Sequence, residues 1–213
     1  VTGVQTCALP IQCHGLNDAT IGHLSGLAAL EELGTDGIQV TDAALKQLTT
    51  LTNLRSASFF HIAFPDKGFT GAGFAAFAAL PKLERLTVAG TPFNDKGLAA
   101  IAELKQIKEF RTWHTFQTQA GNEELLKLTT LRSLHVGQRL RKWNGKPETL
   151  SLDDSTLATL AKMKSLETLS LDEARLTHAG LAQLKALPNL KKLILQRIDI
   201  SESDLAKLRS DLS

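Results

Sequence analysis

A chain of 213 residues with 43% apolar content, 5% aromatics and a mean hydropathy of -0.05 can build a sizeable aliphatic core, and no stretch approaches the roughly 18 continuous apolar residues of a membrane span. Its formal net charge of +2 supplies no general basic field, so nucleic acid is not an expected partner. Two cysteines make neither a disulfide framework nor a zinc site.

The first eleven residues, VTGVQTCALPI, carry no positively charged n-region and fit no targeting signal. They resemble the translation of a common short-read sequencing adapter, and the resemblance stops at Gln12. Residues 1–11 are therefore expected to be a non-native or disordered leader that can be removed without loss of stability. Residues 12–213 are expected to be a single domain truncated at its N-terminus. On this reading Cys7 and Pro10 are artefacts, and Cys13 is the remaining native thiol.

From Asn17 onward the chain repeats. Asn17, Thr41, Thr70, Asn94, Thr118, Asp153, Thr177 and Ser201 are residue types that accept hydrogen bonds from the free N–H groups of a helix start, and they follow one another at steps of 24, 29, 24, 24, 35, 24 and 24. After each cap, apolar residues recur at steps of about three, as in Leu45, Leu48, Leu51 and Leu54, in Phe74, Phe77, Leu80 and Leu83, or in Leu181, Leu184, Leu187 and Leu190. Such a stripe predicts a short helix buried on one side. Apolar residues two apart then predict a short strand: Leu33 with Thr35, Ala57 with Phe59, Leu86 with Val88, Phe110 with Thr112, Leu134 with Val136, Leu169 with Leu171, and Leu193 with Leu195. Strand and helix alternating at this period imply right-handed crossovers, a parallel sheet and a solenoid of about seven units.

Thr41-Asp42-Ala43, Asn94-Asp95-Lys96-Gly97-Leu98 and Thr177-His178-Ala179-Gly180-Leu181 are the stretches that most resemble the bacterial leucine-rich repeat proteins of the ribonuclease-inhibitor-like superfamily. The resemblance runs from Asn17 to the end. It implies an α/β horseshoe with the parallel sheet on the concave face and short helices on the convex face, and a recognition role rather than one activity. It also favours export. Asn122 departs from the pattern where a leucine is wanted, and Ala57 fills a strand leucine site. A buried amide without a partner costs about 1–3 kcal/mol, so Asn122→Leu is expected to stabilise the protein. The last helix, from Ser201 to about Leu212, reads as a terminal cap or as the mark of a second truncation.

Five extra residues fall between Phe59 and Thr70 and eleven between Val136 and Asp153, both after a strand and before the next cap. Both insertions should leave the same edge of the sheet, with their bases roughly 14 Å apart at about 4.8 Å per strand. The longer one carries Arg139, Arg141, Lys142 and Lys146 around Trp143, a pattern that can grip a phosphate or stack on a base. A solvated loop with Trp143 packed back on the sheet is the alternative. Strand residues between the buried ones point outward: Ser56, Ser58 and Phe60; Arg85, Thr87 and Ala89; Glu109, Arg111 and Trp113; Ser133, His135 and Gly137; Thr168, Ser170 and Asp172; Lys192, Ile194 and Gln196. Arg111, Trp113 and His135 fall on adjacent strands at the centre, with Phe60 two strands from Trp113, and Trp and Arg are the residues most enriched among binding hot spots.

Catalytic patterns are weak. The histidines form no metal pair, although His61 and His114 fall on the same edge, and the Asp153–Asp154 pair places Asp153 at a cap. The expectation is a non-enzymatic, monomeric recognition module without a cofactor. It would bind a protein or peptide through Arg111, Trp113, His135, Phe60 and Arg85, with help from Arg139, Arg141, Lys142 and Trp143. The alternatives are an accessory region of a larger enzyme or signalling protein, and an anionic glycan or nucleic-acid binder acting through the 139–146 loop.

Overall fold

The computed structural model describes residues 15–62, 68–138 and 151–212. Seven strands, β1 (Glu32–Asp36), β2 (Ser56–Phe60), β3 (Arg85–Ala89), β4 (Glu109–Trp113), β5 (Ser133–Gly137), β6 (Thr168–Asp172) and β7 (Lys192–Gln196), form one parallel sheet in sequence order. The register is constant, so equivalent positions of successive repeats pair along straight rows: Leu33, Ala57, Leu86, Phe110, Leu134, Leu169 and Leu193 form one such row.

The connections across the other face begin as short 3-10 helices of two turns or more at Ile21–Gly26, Ala44–Thr50 and Ala72–Ala79. They continue as α1 (Asp95–Ala102), α2 (Gln119–Asn122) running into a 3-10 turn at Glu123–Lys127, α3 (Asp154–Leu160), α4 (His178–Ala182) with a 3-10 turn at Gln183–Ala186, and α5 (Glu202–Leu212). An apolar step of three suits the 3-10 turn, because three residues per turn stack Leu45 and Leu48 on one side.

Five of the eight expected caps act as caps: Asn94 accepts from the Lys96 amide at 3.0 Å, Thr118 from Gly121 at 3.4 Å, Asp153 from Ser155 at 2.9 Å, Thr177 from Gly180 at 3.1 Å and Ser201 from Asp204 at 3.1 Å. Asn17 and Thr70 accept only from the amide two residues on, Ala19 at 2.9 Å and Ala72 at 3.3 Å, while the residues at the helix starts themselves, Thr20 and Gly71, make no side-chain cap bond. Thr41 makes no such bond, and its hydroxyl donates to Asp18 at 2.6 Å. That bond belongs to a second device. The aspartate after a cap accepts from both the amide and the hydroxyl of the next repeat's cap, as Asp18 does from Thr41, Asp42 from Thr70, Asp95 from Thr118 and Asp154 from Thr177. The carboxylate needs the room a glycine leaves, since a Cβ at Gly121 would lie 2.0 Å from Asp95 Oδ1 and one at Gly180 1.9 Å from Asp154 Oδ1.

The core lies between sheet and helices. At Ala57 the missing volume is made up by phenylalanines: Phe59 meets Phe74 at 5.3 Å and Phe77 at 6.1 Å between ring centroids, and Phe74 also meets Phe69 and Phe93. Asn122 corrects the expectation placed on it. It is buried, but it is not without partners: its Nδ2 donates to the Ser151 carbonyl and reaches Thr156 Oγ1 at 3.5 Å, while Gln117 Nε2 donates to its Oδ1 at 3.4 Å. At the last repeat burial falls away. Leu193 is 41% and Leu195 36% exposed, and with Leu181, Leu184, Leu187 and Leu208 of α5 they line an apolar groove of about 640 Å3.

Candidate functional site

The outward residues of the strands make three rows across the open face. The row nearest the strand ends runs Phe60, Ala89, Trp113, Gly137, Asp172 and Gln196. Its alternation of large and small is what brings the aromatics together. With only Ala89 between them, the Phe60 and Trp113 rings come within 5.9 Å of each other. In the middle row Arg111 pairs in register with His135. The imidazole meets the Trp113 ring edge-on at 5.0 Å, and the Arg111 guanidinium sits 5.6 Å from the ring centroid, within cation–π range. Phe60, Arg111, Trp113 and His135 thus form one contiguous cluster. Gly137 is constrained by it, because a Cβ there would lie 3.0 Å from the Cβ atoms of both Trp113 and Asp172.

Burial lowers the pKa of His135 below its usual value, and the neighbouring Arg111 lowers it further, so the imidazole is neutral at neutral pH. Its Nε2 is buried and has no hydrogen-bond partner, the one such side-chain nitrogen or oxygen among the described residues.

Arg85 stands apart from the cluster, in the first row, where its guanidinium pairs with Glu32 at 3.1 Å across Ser56. Arg139, Arg141, Lys142, Trp143 and Lys146 lie outside the described residues, as do residues 63–67 of the shorter insertion, so the two expected walls of a groove are not described. Where the longer insertion leaves and rejoins the scaffold is clear. Gln138 Oε1 accepts from the Ser151 amide at 2.9 Å, and its Nε2 donates to the Leu152 carbonyl at 2.8 Å, closing the base.

His61 and His114 each take a carboxylate: His61 Nδ1 lies 2.9 Å from Asp36, and His114 Nε2 lies 3.0 Å from Glu173, reaching past the intervening repeat. Both histidines follow a strand directly, with φ of 46° and 53°, and Glu173 and Arg197 share this conformation at 52° and 49°. Gly37 and Gly90 take the equivalent positions elsewhere. An L-residue is strained there, and the side-chain pairing offsets that strain. Arg197 clasps the buried Asp172 through two guanidinium nitrogens and lies 3.4 Å from Glu173. Among the described residues no group of three or more His, Cys, Asp or Glu could hold a metal ion.

Sequence reasoning missed the clasp of Arg197 on Asp172, and it missed Phe116, which is 72% exposed on the same edge. A signal for Phe116 existed. The residue before each of the caps from Thr41 to Thr177 is a buried apolar one, as Val40, Phe69, Phe93, Leu152 and Leu176 are, except before Thr118, where it is Gln117, and Phe116 next to it is exposed.

Among solved structures, the chain is similar to an internalin C2 from Listeria monocytogenes, with a TM-score of 0.58 and 24% identity over 91% of this chain and 72% of that one. The fold is a leucine-rich repeat solenoid. No protein-family model matches the chain, and no curated protein matches it. Within this solenoid the aromatic cluster occupies the middle of the concave sheet, on β2, β4 and β5, and the long insertion leaves directly after β5.

Proposed function

We propose that this solenoid is a non-enzymatic recognition module that binds a protein or peptide partner through its concave face. The observation that carries the reading is the contiguous cluster of Phe60, Arg111, Trp113 and His135 on a face that its own chain leaves partly exposed. Aromatic and arginine side chains at the centre of a patch are the usual carriers of binding energy, and a rim of weaker polar contacts keeps water from them. The rigid sheet fixes their geometry before the partner arrives, so little is lost to ordering on association. The likeness to an internalin repeat structure, at the level of the fold, supports the same reading.

The test uses a partner recovered by pull-down with the full chain. Trp113→Ala should weaken its binding by about 2 kcal/mol or more, whereas Lys192→Glu, at the far end of the sheet, should change it little. Equal effects at both positions, or full binding by an Arg111→Ala, Trp113→Ala double variant, would overturn the reading.

A further inference from the structure

Among the described residues, the last unit of the solenoid has a helix but no strand. Ser201 caps α5, Leu208 packs against the core, and Asp211 lies 2.9 Å from His178 of α4, so α5 stands in the helix layer where an eighth unit begins. β7 is the last strand of the sheet. Leu193 and Leu195 are therefore partly exposed, whereas Leu169 and Leu171, in register with them on β6, are fully buried. With Leu181, Leu184, Leu187 and Leu208 they line the apolar groove between β7 and α5.

The edge is open in its backbone as well. In a parallel sheet the N–H and C=O of one residue point to the same neighbour, and successive residues point to opposite sides. The Lys192 amide donates to Glu167 and the Gln196 carbonyl accepts from Glu173, so these residues face β6. Leu193 and Leu195 then turn their N–H and C=O groups outward, a template for one more strand. Charge indicates what that strand should carry. At the strand starts, charged side chains pair from repeat to repeat: Glu31 with Arg55 at 3.6 Å, Glu32 with Arg85 at 3.1 Å, Arg132 with Glu167 at 2.6 Å and Glu167 with Lys191 at 2.9 Å. The row of Glu32 and Arg85 ends on Lys192, which is exposed and makes no ion pair with a described residue. We infer that the edge of β7 binds an extended segment of a partner protein as an eighth parallel strand, with an acidic residue opposite Lys192 and two apolar residues at alternate positions seated in the groove. A second copy of this chain fits less well, because an end repeat brings its own helix or 3-10 turn into the layer that α5 fills. The edge lies apart from the concave cluster, and the inference does not rest on the recognition reading above.

The probe is a blocked pentapeptide, Glu-Leu-Ser-Leu-Asp, which is β6 with glutamate in place of Thr168, the residue in register with Lys192. It is compared with a twin that begins in lysine and with one in which serine replaces both leucines. Each is titrated into the isotope-labelled full chain while the Leu193 and Leu195 amides are followed by NMR. The glutamate peptide should shift both amides saturably and slow their hydrogen exchange. The lysine twin should bind about fivefold more weakly, and the serine twin at least about tenfold more weakly. Lys192→Glu changes an exposed position, so the fold should survive while the preference between glutamate and lysine reverses. Trp113→Ala should leave these affinities unchanged, so the inference and the concave-face reading fail separately. No saturable shift at Leu193 and Leu195, equal affinity for the glutamate and lysine peptides, or a preference untouched by Lys192→Glu would each overturn the inference. Concentration-dependent protection of the same amides in the chain alone would also overturn it, by making a second copy the occupant.

Discussion

Two neighbouring stretches of the solenoid fill the same interior positions by opposite means. Around β2 and β3 the slots are taken by phenylalanine: Phe74 packs edge to face with Phe59, Phe69 and Phe77, and at a tilt with Phe93. Under β4 and β5 the corresponding slots hold Thr112, Gln117 and Asn122, and these are stitched together. Gln117 Oε1 accepts from Thr112 at 3.2 Å and from Thr115 at 3.0 Å, its Nε2 donates to Asn122, and Asn122 donates to the Ser151 carbonyl, where Thr156 also donates at 3.0 Å. Phenylalanine packing is non-directional and contributes through buried area. The polar stitching contributes only while every member is present, because each buried group left over costs its full desolvation. The directional stretch lies directly beneath the proposed site and at the base of the long insertion, where fixed geometry matters most.

Breaking the apolar stretch should have the largest effect. Phe74 touches four other phenylalanine rings, so Phe74→Ala should cost about 3–5 kcal/mol in denaturant unfolding. A loss below about 1 kcal/mol would mean that the neighbouring rings collapse into the space.

Breaking the polar stretch comes next. Asn122→Leu should destabilise by about 1–3 kcal/mol, because Gln117 Nε2 loses its acceptor and the Ser151 carbonyl loses a donor. The pattern-based expectation had the opposite sign. Replacing Gln117 and Asn122 together with leucine should cost less than the sum of the single changes, since each change orphans the other's partner. Additive losses would show that the two side chains are not coupled.

The reason that sign was illegible in the sequence is physical. Asn122 breaks a visible leucine pattern, but its acceptor, the Ser151 carbonyl, lies 29 residues on, beyond the insertion, and no local spacing announces it. What repeats at 24 residues could be read: the strand rows and the face of the sheet on which Arg111, Trp113 and His135 stand together, and the caps from Asn94 onward, though not those at Asn17, Thr41 and Thr70. Contacts that skip a repeat could not be read, as with His114 and Glu173 reaching over the repeat between them. Arg197 was hidden for another reason. Its conformation usually selects glycine, as at Gly37 and Gly90, and the charged residue there is explained only by the Asp172 it holds.

A smaller effect separates what the two stretches share, the aspartate ladder between repeats. Asp154 accepts from the Thr177 amide at 3.0 Å and from its hydroxyl at 2.6 Å, at a solvent-exposed position. Asp154→Ala should cost about 1 kcal/mol, since water replaces part of what is lost. In hydrogen exchange the amide of Thr177 should lose protection while the core strands keep theirs. Unchanged exchange at Thr177 would deny the aspartate its role in joining repeats.

The smallest expected effect is the dependence of stability on pH through His135. Its imidazole is held below the ordinary 6.5, first by burial and then by Arg111, with Arg197 acting in the same direction and Asp172 opposing. In the unfolded chain it titrates at its ordinary value, so at pH just below 6.5 the unfolded state binds more protons and stability rises with pH. Stability is therefore full above that value and declines as pH falls through it toward the lower folded value. Glu84, Glu167, Asp204 and Asp211 have carboxyl pKa values lowered by hydrogen bonds from Lys108, Lys191, Ser201 and His178 respectively. They lose their contribution only in the more acidic carboxylate range, which separates the two windows. Thermal unfolding of the native chain and of His135→Phe, compared between neutral pH and pH just above the carboxylate range, should show a shallower decline in the variant. Parallel curves would mean that the imidazole contributes no pH dependence.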